Sequence, residues 1–292
     1  AAGAHVGAAL DLAGRLTAMA VQIRLAPAKL NLFLRITGRR ADGYHLLQTV
    51  FELIDWCDRV EVVATADGRI ERESGAPGVD PEADLIVRAA RALQAASGSR
   101  RGCRLRLHKS VPMGAGLGGG SSDAAAVLLA LNELWALHWP VEQLIPIGLR
   151  LGADVPVFLG QHPAWAEGVG ELLQAMDLPA RHYLVLYPAA HVPTAAAFAA
   201  PDLVRDSPTI RASAEQVWRQ AGNAFEAPVC RLYPAVAEAG VWMRQHFGAA
   251  HLSGSGSAWF VECAADLNLA QLPAHPQHWQ LRVCRSWRAQ PR

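Results

Sequence analysis

The sequence predicts an α+β protein of two domains, in which mixed or antiparallel sheets pack against helices. Early segments alternate apolar and polar residues with a period of two, whereas later apolar residues recur at helical spacing. The strands and helices are intermixed without a regular strand–helix–strand series, which argues against a parallel sheet. The 292 residues are enough for about two domains with a sizeable core.

The first predicted strand covers residues 21–36, where a row of leucines alternates with other residues. Lys29 and Asn31 share the face opposite this leucine row, because side chains alternate between the two faces of a strand. Further along, Pro81 after Asp80 predicts a helix start, since Pro suits the first helical position. The other elements are predicted as strands over 49–54, 59–63, 103–108, 183–187, 258–262 and 280–283, and as helices over 124–137, 141–151, 213–220 and 236–246.

The domain organisation is predicted from composition and from the density of Gly and Pro. Residues 1–18 are rich in Ala and Gly and are expected to be a disordered or non-native extension, with Met19 as the natural start. A boundary near residue 170 then gives an N-terminal domain over 19–170 and a C-terminal domain over 171–292.

Composition excludes several classes of function. The 27 Lys and Arg residues against 26 Asp and Glu residues leave a net charge of +1, so no nucleic-acid partner is expected. The densest apolar run, over 124–131, is far shorter than the roughly 18 residues that span a bilayer, so no membrane partner is expected. The five scattered cysteines include no C-x-x-C pair and predict neither a zinc site nor a disulfide framework. A cytoplasmic protein without a metal-ligand cluster is therefore expected.

A glycine-rich loop is the most informative segment of the chain. Five of the seven residues over 114–120 are Gly, and the loop lies between a predicted strand and a predicted helix. Ser121, Ser122 and Asp123 suit the N-cap of that helix. Because a helix N-terminus offers free N–H groups and a partial positive charge, the loop is predicted to bind phosphate.

Three interpretations of this loop compete on the residues alone. Residues 114–119 match the dinucleotide pattern G-x-G-x-x-G, but the expected strand–helix–strand spacing and downstream acid are missing. A Walker A motif fails, because no Gly-Lys-[Ser/Thr] follows. A flexible loop that only caps a helix is improbable with so many glycines. A phosphate-binding loop is favoured.

Residues 112–123, PMGAGLGGGSSD, resemble the phosphate-loop motif of the GHMP kinases. Three further segments resemble the branch of that family that acts on 4-diphosphocytidyl-2-C-methyl-D-erythritol: APAKLNL (26–32), DGYHL with QTVF (42–51) and LGADVPVF (151–158). EGVGE, GNAFE and LSGSGS also fit, so the resemblance covers roughly residues 21–263.

The resemblance implies the two-domain GHMP kinase fold, with the active site in the cleft between an ATP-binding N-terminal domain and a substrate-binding C-terminal domain. It implies ATP-dependent phosphorylation of the substrate's 2-hydroxyl in non-mevalonate isoprenoid biosynthesis, with ATP and Mg²⁺ as cofactors. The expected partners are this cytidine diphosphate-linked methylerythritol and ATP, and the expected assembly is a monomer or a weak homodimer.

Site residues follow from the same resemblance. Asp154 matches the family's catalytic Asp, which takes the hydroxyl proton, and Lys29 matches its catalytic Lys. The residues expected to hold the nucleotide are Asp84, Leu85, Lys109, Pro112, Met113, Gly114, Ala115, Gly116, Leu117, Gly118, Gly119, Gly120, Ser121 and Ser122. The residues expected to hold the substrate are Asn31, Tyr44, His45, Asp154, Thr194 and Phe198. Among these, Tyr44 and Phe198 are expected to stack on the cytosine, and His45 to bond its polar edge.

Two departures from the family pattern stand out. Position 84 is Asp where relatives commonly show Asn, which puts an amide contact to adenine in doubt. The Trp-, Arg- and Pro-rich tail after Cys263 does not resemble the family's usual ending, so no role is assigned to it.

The alternatives to this function are a GHMP kinase for another small alcohol such as homoserine, a non-catalytic nucleotide-binding module and, last, a dinucleotide-dependent dehydrogenase.

Overall fold

The computed structural model describes residues 5–10, 16–210 and 222–288, with the backbone alone described for 5–10 and 16–19. Within these ranges the strands are β1 (His5–Leu10), β2 (Leu16–Arg39), β3 (His45–Thr65), β4 (Ile70–Arg72), β5 (Gly102–His108), β6 (Ala164–Glu167), β7 (Leu172–Ala175), β8 (His182–Tyr187), β9 (His251–Leu252), β10 (Trp259–Cys263) and β11 (Gln280–Arg285). The helices are α1 (Leu85–Ser97), α2 (Gly119–Leu134), α3 (Val141–Leu151), α4 (Val155–Gly160), α5 (Thr194–Ala199), α6 (Glu226–Leu232) and α7 (Pro234–Phe247).

The described strands form two sheets. In the larger sheet the order is β1-β2-β3-β5-β4, with β6 added to β3 and β7 added to β6. In the smaller sheet the order is β11-β8-β10-β9. The described pairs are antiparallel apart from β4 with β5. The predicted mixed and antiparallel α+β fold is thus confirmed.

Three apolar clusters hold the layers together. Helices α1–α4 pack on one part of the larger sheet, and α5–α7 pack on the smaller sheet. The third cluster lies where the two sheets meet and joins Leu30 and Val50 to Tyr183 and Phe260. The predicted leucine row of β2 is buried in these clusters, so the opposite face, with Lys29 and Asn31, is left for a site between the two parts.

Strand β3 differs from the sequence-based expectation. The predicted strands over 49–54 and 59–63 are one continuous element, because the chain passes through a bulge instead of a turn. Pro27 of β2 pairs with Cys57, but the next residue, Ala28, pairs with Ile54, which leaves Asp55 and Trp56 as the bulge.

Two predicted helix starts were wrong. Helix α1 begins at Leu85, four residues after Pro81, because the Asp84 carboxylate accepts the backbone N–H of Ile86 and caps the helix there. Helix α2 begins at Gly119 instead of 124, so Ser121, Ser122 and Asp123 lie inside its first turns and are not the N-cap. Helix α3 coincides with its predicted range.

The structure shows what lies at the N-terminal end and near the predicted domain boundary. Within residues 1–18, which were expected to be a disordered or non-native extension, the described parts form β1 and the start of β2, and these two strands pair with each other. Strand β7 extends the larger sheet just beyond residue 170. The helix predicted over 213–220 lies outside the described residues. No described helix has both the length and the apolar character needed to cross a bilayer.

Candidate active site

The glycine loop leads from β5 into α2. Gly118 is the N-cap of α2 with φ of 71°, a left-handed conformation that favours Gly. The 16-residue helix therefore points its N-terminus and its free N–H groups at the loop, which is the arrangement that binds phosphate.

The loop needs glycine because its backbone passes close to other segments. A Cβ on Gly116, where φ is 72°, would overlap the Ser253 carbonyl oxygen. A Cβ on Gly118 would lie 2.8 Å from the Phe158 ring and 3.1 Å from Lys29 Cγ. The backbone of the loop can thus lie directly against the catalytic candidates.

Lys29 is buried at this loop and is held by three acceptors. Its Nζ donates to Asn31 Oδ1 at 2.5 Å and to the Gly116 carbonyl at 2.8 Å, and it lies 3.8 Å from Asp154 Oδ2. Burial lowers the pKa of Lys29 from its ordinary value, while the Asp154 carboxylate opposes this shift.

Asp154 sits at the N-cap of α4, but its side chain caps no backbone N–H there. Its carboxylate is 36% exposed, so one face remains accessible from the cavity while the other faces Lys29. The structure therefore brings the two predicted catalytic residues together, although 125 positions separate them in the sequence.

A cavity of about 580 Å³ opens in front of this pair. It is lined by the glycine loop on one side and by residues from the second half of the chain, such as Thr194, Phe198 and Gly254, on the other. The predicted nucleotide residues that line it are Asp84, Leu85, Lys109, Pro112, Met113, Gly114, Ala115, Gly116, Leu117, Gly118, Gly119, Gly120 and Ser121. Ser122 does not line the cavity, because its side chain is buried behind the loop.

Lys109 ties together the two stems of the loop. Its Nζ donates to Asp58 Oδ2 at 2.5 Å and to Asp123 Oδ2 at 2.8 Å, while Asp58 Oδ1 accepts the N–H groups of Ser110 and Val111. Burial raises the pKa of Asp123 to about 8, and the neighbouring Asp58 carboxylate adds to the rise. Burial lowers the pKa of Lys109, but the two carboxylates outweigh it and the net shift is upward. Lys109 retains a third N–H, which can reach a ligand in the cavity.

A magnesium ion fits the polar atoms beneath the loop. Among the described residues, Ser122 Oγ and Asp123 Oδ1 are buried without a hydrogen-bond partner, which leaves two oxygen atoms free at the start of α2. No cluster of three or more His, Cys, Asp and Glu side chains that could hold a metal is found in the described ranges. Mg²⁺ commonly takes only one or two protein oxygens beside phosphates and waters, so this donor set suits it.

Asp84 is engaged with the protein itself. Its carboxylate accepts the N–H groups of Ala76 and Ile86 and lies 3.1 Å from Arg72 Nε. Arg72 thereby neutralises the charge that Asp carries in place of Asn at this position. The side chain still lines the cavity, and its contact with adenine stays a prediction.

The predicted substrate residues are distributed unevenly. Asn31, Thr194 and Phe198 line the cavity, and Thr194 Oγ1 is 2.9 Å from Ser255 Oγ. Tyr44 is 65% exposed and does not line the cavity. The structure thus brings together only part of the predicted group.

His45 packs on Phe198 but, like Tyr44, is not among the residues that line the cavity. The His45 ring stacks on the Phe198 ring with centroids 4.7 Å apart, and its Nε2 faces Arg205 Nε at 3.3 Å. Burial and the charges of Arg205 and Arg39 lower the pKa of His45, so the ring is neutral with Nε2 as acceptor and its proton on Nδ1. The roles of Tyr44 and His45 in holding cytosine stay predictions.

Some residues at this site are missing from the predicted set of site residues. Thr49 is completely buried and accepts a hydrogen bond from Asn31. It lies in the QTVF segment that carries the resemblance, but no role for it followed from that resemblance. Arg205 donates to His45 and lies in none of the quoted motifs. Ser253, whose hydroxyl donates to the Gly116 carbonyl, lies in the LSGSGS segment, so the resemblance could have pointed to it.

Comparisons with known proteins agree with this geometry. Residues 84–161 match the family model of the GHMP kinases N terminal domain. A 4-diphosphocytidyl-2-C-methyl-D-erythritol kinase of Dechloromonas aromatica (strain RCB) is 53% identical over 258 residues, which cover 87% of this chain and 94% of that protein. The chain belongs to the 4-diphosphocytidyl-2-C-methyl-D-erythritol kinase family.

Other members and neighbours support this family and its fold. The kinase of the same name from Albidiferax ferrireducens is 48% identical over 91% of this chain and 92% of its own length. A crystal structure of 4-(cytidine 5'-diphospho)-2C-methyl-D-erythritol kinase superimposes with a TM-score of 0.72 at 37% identity, covering 84% of this chain and 90% of that one. The Methanococcus jannaschii mevalonate kinase, 12% identical with a TM-score of 0.61 over 91% of this chain and 98% of its own, shares the fold alone.

Proposed function

We propose that this chain transfers the γ-phosphoryl group of ATP to the 2-hydroxyl of 4-diphosphocytidyl-2-C-methyl-D-erythritol, a step of isoprenoid biosynthesis. One observation carries this proposal: a buried ammonium group, Lys29, lies beside an accessible carboxylate, Asp154, at a glycine loop suited to phosphate. The family relationship supplies the substrate, and the cavity supplies room for its reacting part.

Phosphoryl transfer requires in-line positioning and charge stabilisation more than covalent help from the protein. The loop N–H groups and the N-terminus of α2 are placed to hold the phosphates. Asp154 accepts the proton of the substrate hydroxyl while the hydroxyl oxygen forms a bond to the γ-phosphorus of ATP. The bond between the γ-phosphorus and the bridging oxygen of ADP breaks at the same time. Lys29 lies 3.8 Å from Asp154 and neutralises charge at the reacting oxygens.

Magnesium is proposed as the second cofactor, beside ATP. Asp123, which lines the cavity and whose Oδ1 has no hydrogen-bond partner, would hold it, directly or through water. Bound there, the ion supplies neutralisation of the negative charge on the phosphates.

The substrate end of the cavity supports a preference for a cytidine-linked alcohol. Phe198 offers an aromatic face, and His45 offers a neutral imidazole whose Nδ1–H is a donor. Thr194 and Asn31 line the same cavity, and they are proposed to contact the methylerythritol part of the substrate. Tyr44 is proposed to close over the base from the exposed 40–44 turn.

The test is an assay of ADP formation with the full chain and a panel of alcohols. ADP should form with 4-diphosphocytidyl-2-C-methyl-D-erythritol, and much less with methylerythritol phosphate, which lacks the cytidyl group, or with homoserine. Phosphorus NMR of the product should show one new phosphate monoester. Equal turnover of homoserine, or no turnover with the cytidyl substrate, would contradict the proposal.

The remaining properties are proposed with the function. We expect a cytoplasmic enzyme that acts as a monomer or a weak homodimer, without a membrane partner. The near-neutral net charge of +1 argues against a nucleic-acid partner. Light scattering across a concentration series measures the assembly, and a stable trimer or larger oligomer would contradict it.

A further inference from the structure

We propose that Thr49 is a positioning residue for the catalytic lysine, acting through a hydrogen-bond relay that runs from the Phe33 carbonyl through Thr49 and Asn31 to Lys29. The proposal rests on the proposed function, because it assumes that Lys29 takes part in phosphoryl transfer. It goes further by assigning a role to a buried hydroxyl that touches neither substrate nor nucleotide.

The relay begins on the two central strands of the larger sheet. Thr49 lies on β3, and its hydroxyl is 2.5 Å from the carbonyl oxygen of Phe33 on β2. A carbonyl oxygen only accepts hydrogen bonds, so the Thr49 hydroxyl must donate its single proton to the Phe33 carbonyl. The same hydroxyl can then only accept a bond from any other neighbour.

The next step follows from this direction. Asn31 Nδ2 lies 2.9 Å from Thr49 Oγ1, where it serves as the donor that the hydroxyl requires. With the amide nitrogen fixed on this side, Asn31 Oδ1 must point the other way, and it faces Lys29 Nζ at 2.5 Å. An ammonium group has donors only, so this orientation satisfies both ends of the relay.

The three side chains of the relay are buried, so each depends on the others for its hydrogen bonds. Thr49 is 0% exposed, Asn31 is 2% exposed and Lys29 is 3% exposed, so water cannot replace a lost partner. Among the described groups, Asp154 is the charged side chain that faces Lys29, and the Phe51 ring lies 5.6 Å from its Nζ. Asn31 Oδ1 and the Gly116 carbonyl therefore fix where the ammonium lies relative to Asp154.

The relay also links Lys29 to the second half of the chain. The backbone N–H of Asn31 faces Ser253 Oγ at 3.3 Å, and that hydroxyl donates to the Gly116 carbonyl, which is also an acceptor for Lys29. Asn31 is thus held through its backbone by Ser253 and through its side chain by Thr49. Its orientation is set by Thr49, because Ser253 contacts only the backbone of Asn31.

Thr49→Val and Thr49→Ser are the matched pair that tests the relay. Thr49→Val keeps the shape but removes the hydroxyl, and should lower kcat about 10- to 100-fold without a matching rise in KM for ATP, as expected for a misplaced catalytic group. Thr49→Ser keeps the hydroxyl and should recover most of kcat. Thr49→Ala serves as the second hydroxyl-free variant if Thr49→Val does not fold.

Two further readouts separate positioning from a structural role. The high-pH limb of the kcat profile should move to lower pH in Thr49→Val, because the Lys29 ammonium loses a well-placed acceptor and its pKa falls. In an Asn31→Ala background, Thr49→Val should have little further effect on kcat, since the relay is already broken.

The outcomes distinguish this inference from the proposed function. A wild-type chain that turns over the cytidyl substrate, with Thr49→Val equally active or additive with Asn31→Ala, would overturn the relay and leave the function standing. A wild-type chain without such turnover would overturn both.

Discussion

The proposed chemistry depends on one ammonium group, that of Lys29, whose surroundings are fixed by contacts that its neighbours in the sequence do not indicate. Lys29 is buried on the central strand β2, with two short hydrogen bonds and one facing carboxylate. Without those partners an ammonium at this depth would favour the neutral form, because burial penalises its charge. The Asp154 carboxylate opposes this penalty, and the hydrogen bonds hold the ammonium beside Asp154, the residue that is proposed to activate the hydroxyl.

The pH dependence of turnover should report this balance. Burial lowers the pKa of Lys29 below 10.5, so kcat should fall as pH rises through that lowered pKa. The Asp154 charge opposes this shift, so the pKa of Lys29 should be lower still in Asp154→Asn. The residual kcat of this variant should therefore begin to fall at a lower pH than the kcat of the wild type. Steady-state kcat over pH 6–11 measures this, and superimposed limbs in the two proteins would contradict it.

Arg205 should control how His45 meets the substrate. Its Nε holds His45 Nε2 as an acceptor, so Arg205→Met frees the tautomer and raises the pKa of His45 toward its usual range. KM for the cytidyl substrate should rise about tenfold, the equivalent of one lost hydrogen bond, with KM for ATP unchanged.

Arg231→Met is the matched control for this variant, because Arg231 is an exposed arginine paired with Asp202. It should leave both KM values as they are. Equal increases of KM for both substrates in Arg205→Met would indicate a general loss of packing and would contradict the assigned role.

At the scale of elements, the site is built where a strand, a glycine loop and a helix meet. Lys109 joins the end of β5 to β3 through Asp58 and to α2 through Asp123. The LSGSGS turn between β9 and β10 packs against the loop from the other side, since Ser253 donates to Gly116. The phosphate loop is thus clamped between two parts of the fold before nucleotide binds.

Gly116→Ala should disturb this clamp. The added Cβ overlaps the Ser253 carbonyl and also meets a positive φ, so KM for ATP should rise and the free energy of unfolding should fall. Gly98→Ala is the matched control, because Gly98 has a similar φ of 64° with open space around its Cβ position.

Gly98→Ala should lose only about 1–2 kcal/mol of stability from backbone strain, with KM for ATP unchanged. Urea unfolding and ATP kinetics of both variants measure the difference. A Gly116→Ala protein with no larger loss than Gly98→Ala, and an unchanged KM for ATP, would contradict the close approach of the loop to Ser253.

The sequence predicts elements whose signal is local and misses those set by distant partners. The alternation around Leu30 and the helical spacing in α3 are local, and both are found. The bulge at Asp55 and Trp56 looks like a turn in the sequence, because the pairing that continues β3 comes from β2. The start of α1 depends on whether Asp80 or Asp84 supplies the cap, which the sequence alone does not decide.

The same limit applies to the candidate site. Motif resemblance identified Lys29, Asp154 and the loop, which share one cavity. Arg205 contacts His45 across 160 positions, and no pattern announces such a contact. Tyr44 is exposed and does not line the cavity, although the resemblance implies that it stacks on the cytosine.

At the scale of the whole molecule, the C-terminal tail ties the two sheets together. Ser286, just after β11, exchanges hydrogen bonds with Arg181 next to β8, and the N–H of Trp287 donates to the carbonyl of Leu53 on β3. Arg288 then reaches the fully buried Glu52 at 2.7 Å. The tail, to which the sequence assigned no role, backs the strand that pairs with Lys29.

Arg288→Met should destabilise the protein in a pH-dependent way. Burial raises the pKa of Glu52, and Arg288 opposes the rise, so its removal raises this pKa further. When the pKa of a carboxyl group is higher in the folded than in the unfolded protein, the free energy of unfolding decreases as pH rises from the unfolded-state pKa through the folded-state pKa. The loss should be small near pH 4 and about 1–3 kcal/mol at pH 8.

Urea unfolding of Arg288→Met at the two pH values measures this loss. Glu52→Gln provides the control background, in which Arg288→Met should cost less and its cost should no longer depend on pH. If Arg288→Met, in the background that keeps Glu52, lowers the free energy of unfolding by the same amount at both pH values, the tail contributes packing alone.

The central claim is that Asp154, held beside Lys29, activates the substrate hydroxyl, and single-turnover phosphoryl transfer with Asp154→Asn tests it most directly. Rapid-quench measurement on the preformed complex with ATP and the cytidyl substrate isolates the chemical step. Its rate constant should fall about 10²-fold or more while ATP affinity is retained, as for loss of a positioned general base. Glu142→Gln, an exposed change on α3, should transfer phosphate at the wild-type rate. A wild-type rate in Asp154→Asn would contradict the account.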